Sequence, residues 1–199
     1  MITCALALEF NEARNQLGLE EITTKKDIPR IAQNRNITLV YTGIGKINSS
    51  IHLSKILTQS SFDLVIDSGT CGSLKENIKP FDIVISKKTI DFYNLKQRGT
   101  EFNSNYKGNI LSNDTTVGSI ESSITTSNSV DMLKNMGVDI VTWESAAIFA
   151  VSKNFNTEVI SIRGVTDSCN GNTISDFKQN RVKVCKKLYN RIKTFCNSV

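Results

Sequence analysis

Short apolar runs alternate with longer amphipathic stretches along the whole chain. Residues 2–8 are almost entirely apolar and lead into an acidic, helix-favouring stretch from Glu9 to Leu17, which predicts a buried strand running into a helix. Ile37 to Thr42 repeats the strand signal. After Gly43-Ile44-Gly45, the residues Ile47, Ile51, Ile56 and Leu57 fall near one helical stripe, giving a second strand, a glycine turn and a helix. Asp63 to Asp67 predicts a third strand, closed by a turn at Ser68-Gly69-Thr70-Cys71-Gly72. Phe81 to Ser86 and Thr89 to Phe92 predict further strands, with Pro80 just outside the first, where its missing N–H does no harm. Lys96 to Asp114 is rich in Asn, Ser, Gly and charge and is expected to be a surface loop. Gly118 to Thr126 predicts a strand, Val130 to Met136 a short helix, and Val138 to Trp143 a strand leading into a helix over Glu144 to Lys153. Val159 to Arg163 predicts the last buried strand, followed by a loop over Gly164 to Thr173 and a C-terminal helix.

Strands that alternate with helices from end to end argue for an α/β fold. The expectation is a single domain over residues 1–199, with a mixed, partly parallel central sheet flanked by helices. In such sheets ligands sit at the carboxyl ends of strands, so the residues just beyond each strand are the ones to inspect for chemistry.

Composition narrows the function classes. A chain of 199 residues with 39% hydrophobic content can bury one sizeable core. No apolar run approaches the roughly 18 residues that span a bilayer, and Met1 leads into the first strand without the pattern of a signal peptide, so a cytoplasmic protein without membrane association is expected. The five cysteines are scattered and lack C-x-x-C spacing, which suggests reduced thiols and neither a disulfide framework nor a zinc site. With His52 as the sole histidine, a metal cluster or a His-based triad is disfavoured. The net charge of +5 is concentrated in the segment from Lys178 to Lys193, where Lys and Arg interleave with Val184, Leu188 and Ile192 at helical spacing. That is the pattern of a solvated helix face, and no nucleic-acid partner is expected.

Three acids stand at or just past different predicted strand ends: Glu9, Glu144 and Asp167. A leaving-group acid, a water-activating base and an acceptor for sugar hydroxyls would need carboxylates converging from such ends. Taken singly, each is also what a helix start favours through capping and the macrodipole. Gly43-Ile44-Gly45 lacks the third glycine of a dinucleotide-binding turn, and no phosphate-binding P-loop is present.

Five segments, in order, resemble the signatures of the purine nucleoside phosphorylase superfamily. They are Ala5-Leu6-Ala7-Leu8-Glu9-Phe10, Thr42-Gly43-Ile44-Gly45-Lys46, Asp67 to Leu74 with Phe81 to Ser86, Val141 to Ala147, and Ile162 to Asp167. The chain is most similar in pattern to the methylthioadenosine/S-adenosylhomocysteine nucleosidases. The resemblance implies a hydrolase that cleaves the N-glycosidic bond of an adenine nucleoside, without metal or organic cofactor, and a homodimer whose neighbouring subunit closes the pocket. It implies Glu9 as the acid that activates water, with Glu12 as a nearby competitor, and Asp167 as the acid that protonates purine N7, supported by Thr166. It places Glu144 on the ribose hydroxyls, Trp143 beside the sugar, Thr70, Cys71 and Gly72 along the substrate, and Val130 where relatives carry a base-stacking aromatic. The acidic Asp67, two residues before Gly69, stands where phosphorolytic relatives carry a phosphate-binding Arg, and so favours water as the nucleophile. A phosphate-dependent phosphorylase, a nucleosidase for futalosine or adenosylhopane, and a non-catalytic nucleoside-binding protein are the alternatives.

Overall fold

The computed structural model describes residues 1–24, 29–108 and 115–198. In chain order the elements are β1 (Ile2–Cys4), α1 (Ala7–Leu17), β2 (Glu20–Glu21), β3 (Arg30–Gln33), β4 (Thr38–Tyr41), α2 (Lys46–Gln59), β5 (Leu64–Ser73), β6 (Ile83–Ser86), β7 (Lys88–Asn94), β8 (Gln97–Asn103), β9 (Thr116–Ser119), α3 (Ser127–Asn135), β10 (Ile140–Thr142), α4 (Ser145–Asn154), β11 (Glu158–Asp167) and α5 (Thr173–Cys196).

The strands form one sheet with β5 at its centre. β5 pairs in parallel with β1 on one side and with β11 on the other, and its carboxyl end also pairs antiparallel with β10. From β1 the sheet continues through β4, β3 and β2, and from β10 through β9, β7 and β8. The expected mixed sheet is therefore present, with parallel and antiparallel ladders in the same layer.

Side-chain alternation along the two central strands builds the layers. In β5, Val65 faces α2 and α4 while Ile66 faces α1 and α5; in β11, Val159 and Ile160 divide in the same way. Both strands are covered on both faces, which is why their amino halves carry apolar residues toward both layers. α5 buries Val184, Cys185, Leu188, Tyr189, Ile192 and Phe195 at i, i+3, i+4 spacing, and its lysines at 183, 186, 187 and 193 point to solvent. The basic segment is thus the outer face of a core helix.

Several boundaries differ from the sequence expectation, each for a tertiary reason. Ser68 to Gly72 is not a turn: β5 runs on to Ser73, because small residues at these positions still pair with β11 and then with β10. β11 likewise extends through Gly164 to Asp167 alongside β5, with a bulge between Val165 and Asp167, where a loop was expected. β1 stops at Cys4 and the helix starts at Ala7, so Leu8 belongs to α1. Gln97–Asn103 forms a hairpin with β7 inside the segment expected to be loop; residues 109–114 of that segment lie outside the described residues. The strand expected over 118–126 is confined to Thr116–Ser119. The short β2 and the strand β3 were not legible, since Glu20–Glu21 carries no apolar alternation and β3 places a buried Arg30 in its pattern.

Candidate active site

A cavity of about 450 Å³ opens at the carboxyl ends of β1, β5, β10 and β11. Glu9, Glu144 and Asp167, which come from three separate elements, all line it. Thr70, Cys71, Gly72, Trp143 and Thr166 line it too.

Glu9 reaches the cavity from the first turn of α1. Its Oε2 accepts the N–H of Ala5 at 3.2 Å and of Leu6 at 3.1 Å, so the carboxylate caps its own helix. Its Oε1 accepts Thr70 N–H at 2.8 Å and Thr70 Oγ1 at 3.0 Å. The cap aims the second oxygen at β5. Burial pushes the Glu9 carboxyl above its ordinary range, and the Thr70 and Leu6 bonds and Arg163 oppose that rise. Glu12, one turn away, accepts from Gln16 at 2.9 Å and does not line the cavity.

Gly69 makes the approach of Glu9 to β5 possible. Its φ of +142° suits glycine, and a Cβ there would lie 2.8 Å from Arg163 Nη1 and 2.9 Å from Glu9 Oε1. Gly69→Ala is expected to displace both groups and reduce turnover at least ~100-fold, the scale set by misplacing a catalytic group by about 1 Å. Steady-state kinetics with a melting curve in parallel check this; a variant that keeps wild-type kcat overturns it.

Asp167 ends β11. Its Oδ2 lies 2.8 Å from Thr166 Oγ1, which is itself 3.1 Å from the carbonyl oxygen of Cys71, and its Oδ1 accepts the N–H of Cys169 at 3.1 Å. Burial raises the Asp167 pKa, with the Thr166 and Cys169 hydrogen bonds acting against it. Gly72 leaves room for this acid: a Cβ there would overlap Cys169 Sγ and lie 2.9 Å from Asp167 Oδ1.

Glu144 is the N-cap of α4 and is 8% exposed. Its Oε1 accepts Gly45 N–H at 2.9 Å, which ties the Gly43-Ile44-Gly45 turn to the site. Burial pushes the carboxyl up to about 7, with the Gly45 bond and Arg163 lowering it and Glu9 and Asp67 raising it. Trp143, next to it, is 37% exposed at the mouth.

Two groups were placed by the structure alone. Arg163, buried on β11, lines the cavity, and its Nη2 pairs with Asp67 Oδ1. An arginine within the apolar run Val159 to Val165 was a usable signal, because a buried guanidinium demands a carboxylate partner. Phe177 of α5 also lines the cavity, as do Ile124 and Val141. Val130 does not: it sits in α3, packed against the cluster of Leu74, Phe92 and Leu133. The aromatic rings on the cavity are those of Trp143 and Phe177, and the expectation for Val130 followed a linear alignment that the placement of α3 does not honour. Among the described residues, no group of three His, Cys, Asp or Glu side chains could hold a metal ion.

A mixed α/β sheet with acids converging on one cavity from α1, the N-cap of α4 and the end of β11 defines a candidate small-molecule pocket. The chain belongs to the phosphorylase superfamily, whose family model matches residues 1–123 and 115–197. Within it, the chain resembles the methylthioadenosine/S-adenosylhomocysteine nucleosidases. The 5'-methylthioadenosine/S-adenosylhomocysteine nucleosidase of Buchnera aphidicola subsp. Acyrthosiphon pisum (strain Tuc7) is 29% identical over 179 residues, 74% of either chain. A Helicobacter pylori MTAN mutant with 5'-methylthioadenosine in its active site superposes with a TM-score of 0.87 at 16% identity, over 100% of this chain and 97% of that one. The futalosine hydrolase of Helicobacter pylori superposes equally, with a TM-score of 0.87 at 15% identity and the same coverage. At those identities the two structures establish the fold.

Proposed function

We propose that this chain is a nucleosidase that hydrolyses the C1′–N9 bond of an adenine nucleoside of the 5′-methylthioadenosine/S-adenosylhomocysteine type. The observation that carries the reading is the convergence of Glu9, Glu144 and Asp167 on one cavity, from positions matching the family's motifs. The Buchnera relative named above supports the substrate class.

Breaking the bond leaves an oxocarbenium-like sugar and an electron-rich purine. Asp167 donates a proton to purine N7 as the bond lengthens, so the base departs neutral. The Thr166 hydroxyl has one proton and faces two acceptors, Cys71 O and Asp167 Oδ2. Once Asp167 has taken up a proton, Thr166 can turn its own to the Cys71 carbonyl and accept from the acid, so the pair accommodates the form an acid catalyst needs. Glu144 accepts the ribose hydroxyls, Trp143 packs beside the sugar, and the walls formed by Ile124 and Val141 exclude water from the base. Glu9 takes a proton from the attacking water, whose oxygen bonds C1′. Among the described residues Thr70 Oγ1 is its one side-chain donor, and it can rotate to make way for that water.

Phosphate-independent adenine release from methylthioadenosine or S-adenosylhomocysteine, followed by chromatography, tests the proposal; strict phosphate dependence or no release would overturn it. A second reading is a nucleoside with an acidic 5′ group, such as a futalosine-type substrate. Lys178 favours it, as a cation at the cavity wall that forms no ion pair among the described residues. Comparing futalosine with methylthioadenosine in the same assay separates the two.

A homodimer is part of the proposal. Ile44, Ile47 and Ile51 are 48%, 73% and 58% exposed, Ile47 and Ile51 share one face of α2, and Ile44 also lines the cavity. A partner on this face would close the substrate's 5′ end. Ile47→Glu with Ile51→Glu is expected to halve the mass seen by light scattering and to raise KM; an unchanged mass would sink it. A reducing, cytoplasmic setting is likewise part of the proposal, as the scattered spacing of the cysteines suggests.

A further inference from the structure

We propose that Asp67 selects the nucleophile: by holding Arg163 in a closed ion pair behind the cavity it denies inorganic phosphate a cation, leaving water for Glu9 to activate. This rests on the nucleosidase reading of the same site. It also alters the simpler argument from sequence, in which Asp67 itself faced the anion. Asp67 does not line the cavity; it acts through Arg163, which does.

The pair is almost fully enclosed, with Asp67 and Arg163 at 1% and 2% exposure. Asp67 Oδ1 takes Arg163 Nη2, and Oδ2 accepts Ser145 Oγ at 2.7 Å and Ser161 Oγ at 2.9 Å. The guanidinium is held on its other edges by Ser161 Oγ at 3.2 Å from Nε, Ser68 O at 3.2 Å from Nη1, and Ser145 Oγ at 3.0 Å from Nη2. Two buried serines from different elements thus fix both partners in a single geometry.

Charge decides what can enter beside them. The Asp67 carboxylate and the Arg163 guanidinium cancel, and Glu9 then leaves the water site net negative when ionised. Arg163 Nη1 and Glu9 Oε1 flank the same point over Gly69, so an anion approaching this cation also meets the carboxylate. A phosphate oxyanion needs uncompensated donors to replace its water shell, and here four of the five Arg163 N–H groups are already spent within the protein. Water needs no such compensation.

The test is Asp67→Asn, which keeps the shape and can still accept from Arg163 and donate to a serine hydroxyl. Freeing one positive charge should tighten phosphate binding on the order of 100-fold, for an assumed separation of about 6 Å and an effective dielectric constant of about 20. Inorganic phosphate binding is read by calorimetry and by the phosphate-dependent rise in melting temperature, against sodium chloride of equal ionic strength. The wild type should show no specific phosphate effect, while Asp67→Asn should bind phosphate and be inhibited by it in competition with the attacking water. Asp67→Asn with Arg163→Gln removes both charges and should lose the phosphate binding again.

A folded Asp67→Asn protein that ignores phosphate overturns the proposal, since a purely structural Asp67 would change stability and leave anion binding alone. Specific phosphate binding by the wild type overturns it as well, and that measurement does not depend on the variant folding. If the wild type releases no base while Asp67→Asn acquires phosphate binding, the assigned reaction fails and the role of Asp67 stands.

Discussion

Asp167→Asn is expected to slow base release about 10³-fold while leaving KM within a few fold, the scale of a lost general acid. Asparagine preserves the contacts on either side: its amide oxygen can accept the N–H of Cys169, as Asp167 Oδ1 does at 3.1 Å, and its amide nitrogen can donate to Thr166. What it cannot do is transfer a proton to purine N7. The loss should therefore appear in kcat, where an interaction made only in the transition state registers. Glu9→Gln should give a loss of similar scale, since its amide cannot accept the proton of the attacking water. Single-turnover kinetics with methylthioadenosine check both, and a kcat for Asp167→Asn within tenfold of wild type would remove Asp167 from the acid's role.

Glu144→Gln is expected to stabilise the protein at pH 8 by on the order of 3 kcal/mol while abolishing useful substrate affinity. Burial raises the Glu144 pKa from 4.5 to about 7 in the folded chain. Above pH 7 both folded and unfolded chains carry the ionised group, and the folded one bears the full cost of the buried charge. As pH falls from 7 to 4.5 the folded chain takes up the proton first, so stability rises; below 4.5 both are protonated and the gain stops. The neutral glutamine removes the cost, so the variant should be more stable at pH 8 and nearly equal to wild type at pH 4.5. Its amide oxygen can still accept Gly45 N–H. The ribose hydroxyls, in contrast, need the carboxylate form as acceptor, so wild-type kcat/KM should fall as pH drops through about 7. Stability and substrate capture thus move in opposite directions with pH at this residue. Urea melts at the two pH values, with kcat/KM against pH, check the pair; a destabilised Glu144→Gln at pH 8 would refute the assignment.

Much of the fold was legible because its central strands are buried on both faces. The apolar runs at 2–4, 38–41, 64–67 and 159–163 locate four of the strands, and the stripe from Val184 to Phe195 locates α5 with its solvated basic face. The acids at Glu9, Glu144 and Asp167 were legible for a related reason: each follows an apolar run, and strand ends in such sheets face the ligand. The carboxyl halves of β5 and β11 were not legible. Ser68-Gly69-Thr70-Cys71-Gly72 has the composition of a turn, and only the neighbours β10 and β11 hold it extended.

The sequence by itself determined the fold class, the family and the acids that stand at strand ends, because periodicity and motif order are local properties of the chain. Tertiary structure decided which of those residues meet. It separated Glu9 from Glu12 by the face of one helix, removed Val130 from the cavity and brought in Phe177, and joined Asp67 to Arg163 across 96 positions of sequence. The physical reason is that hydrogen bonding, ion pairing and burial act over a few ångströms of space, and residues far apart in the chain share that space only once the sheet has formed.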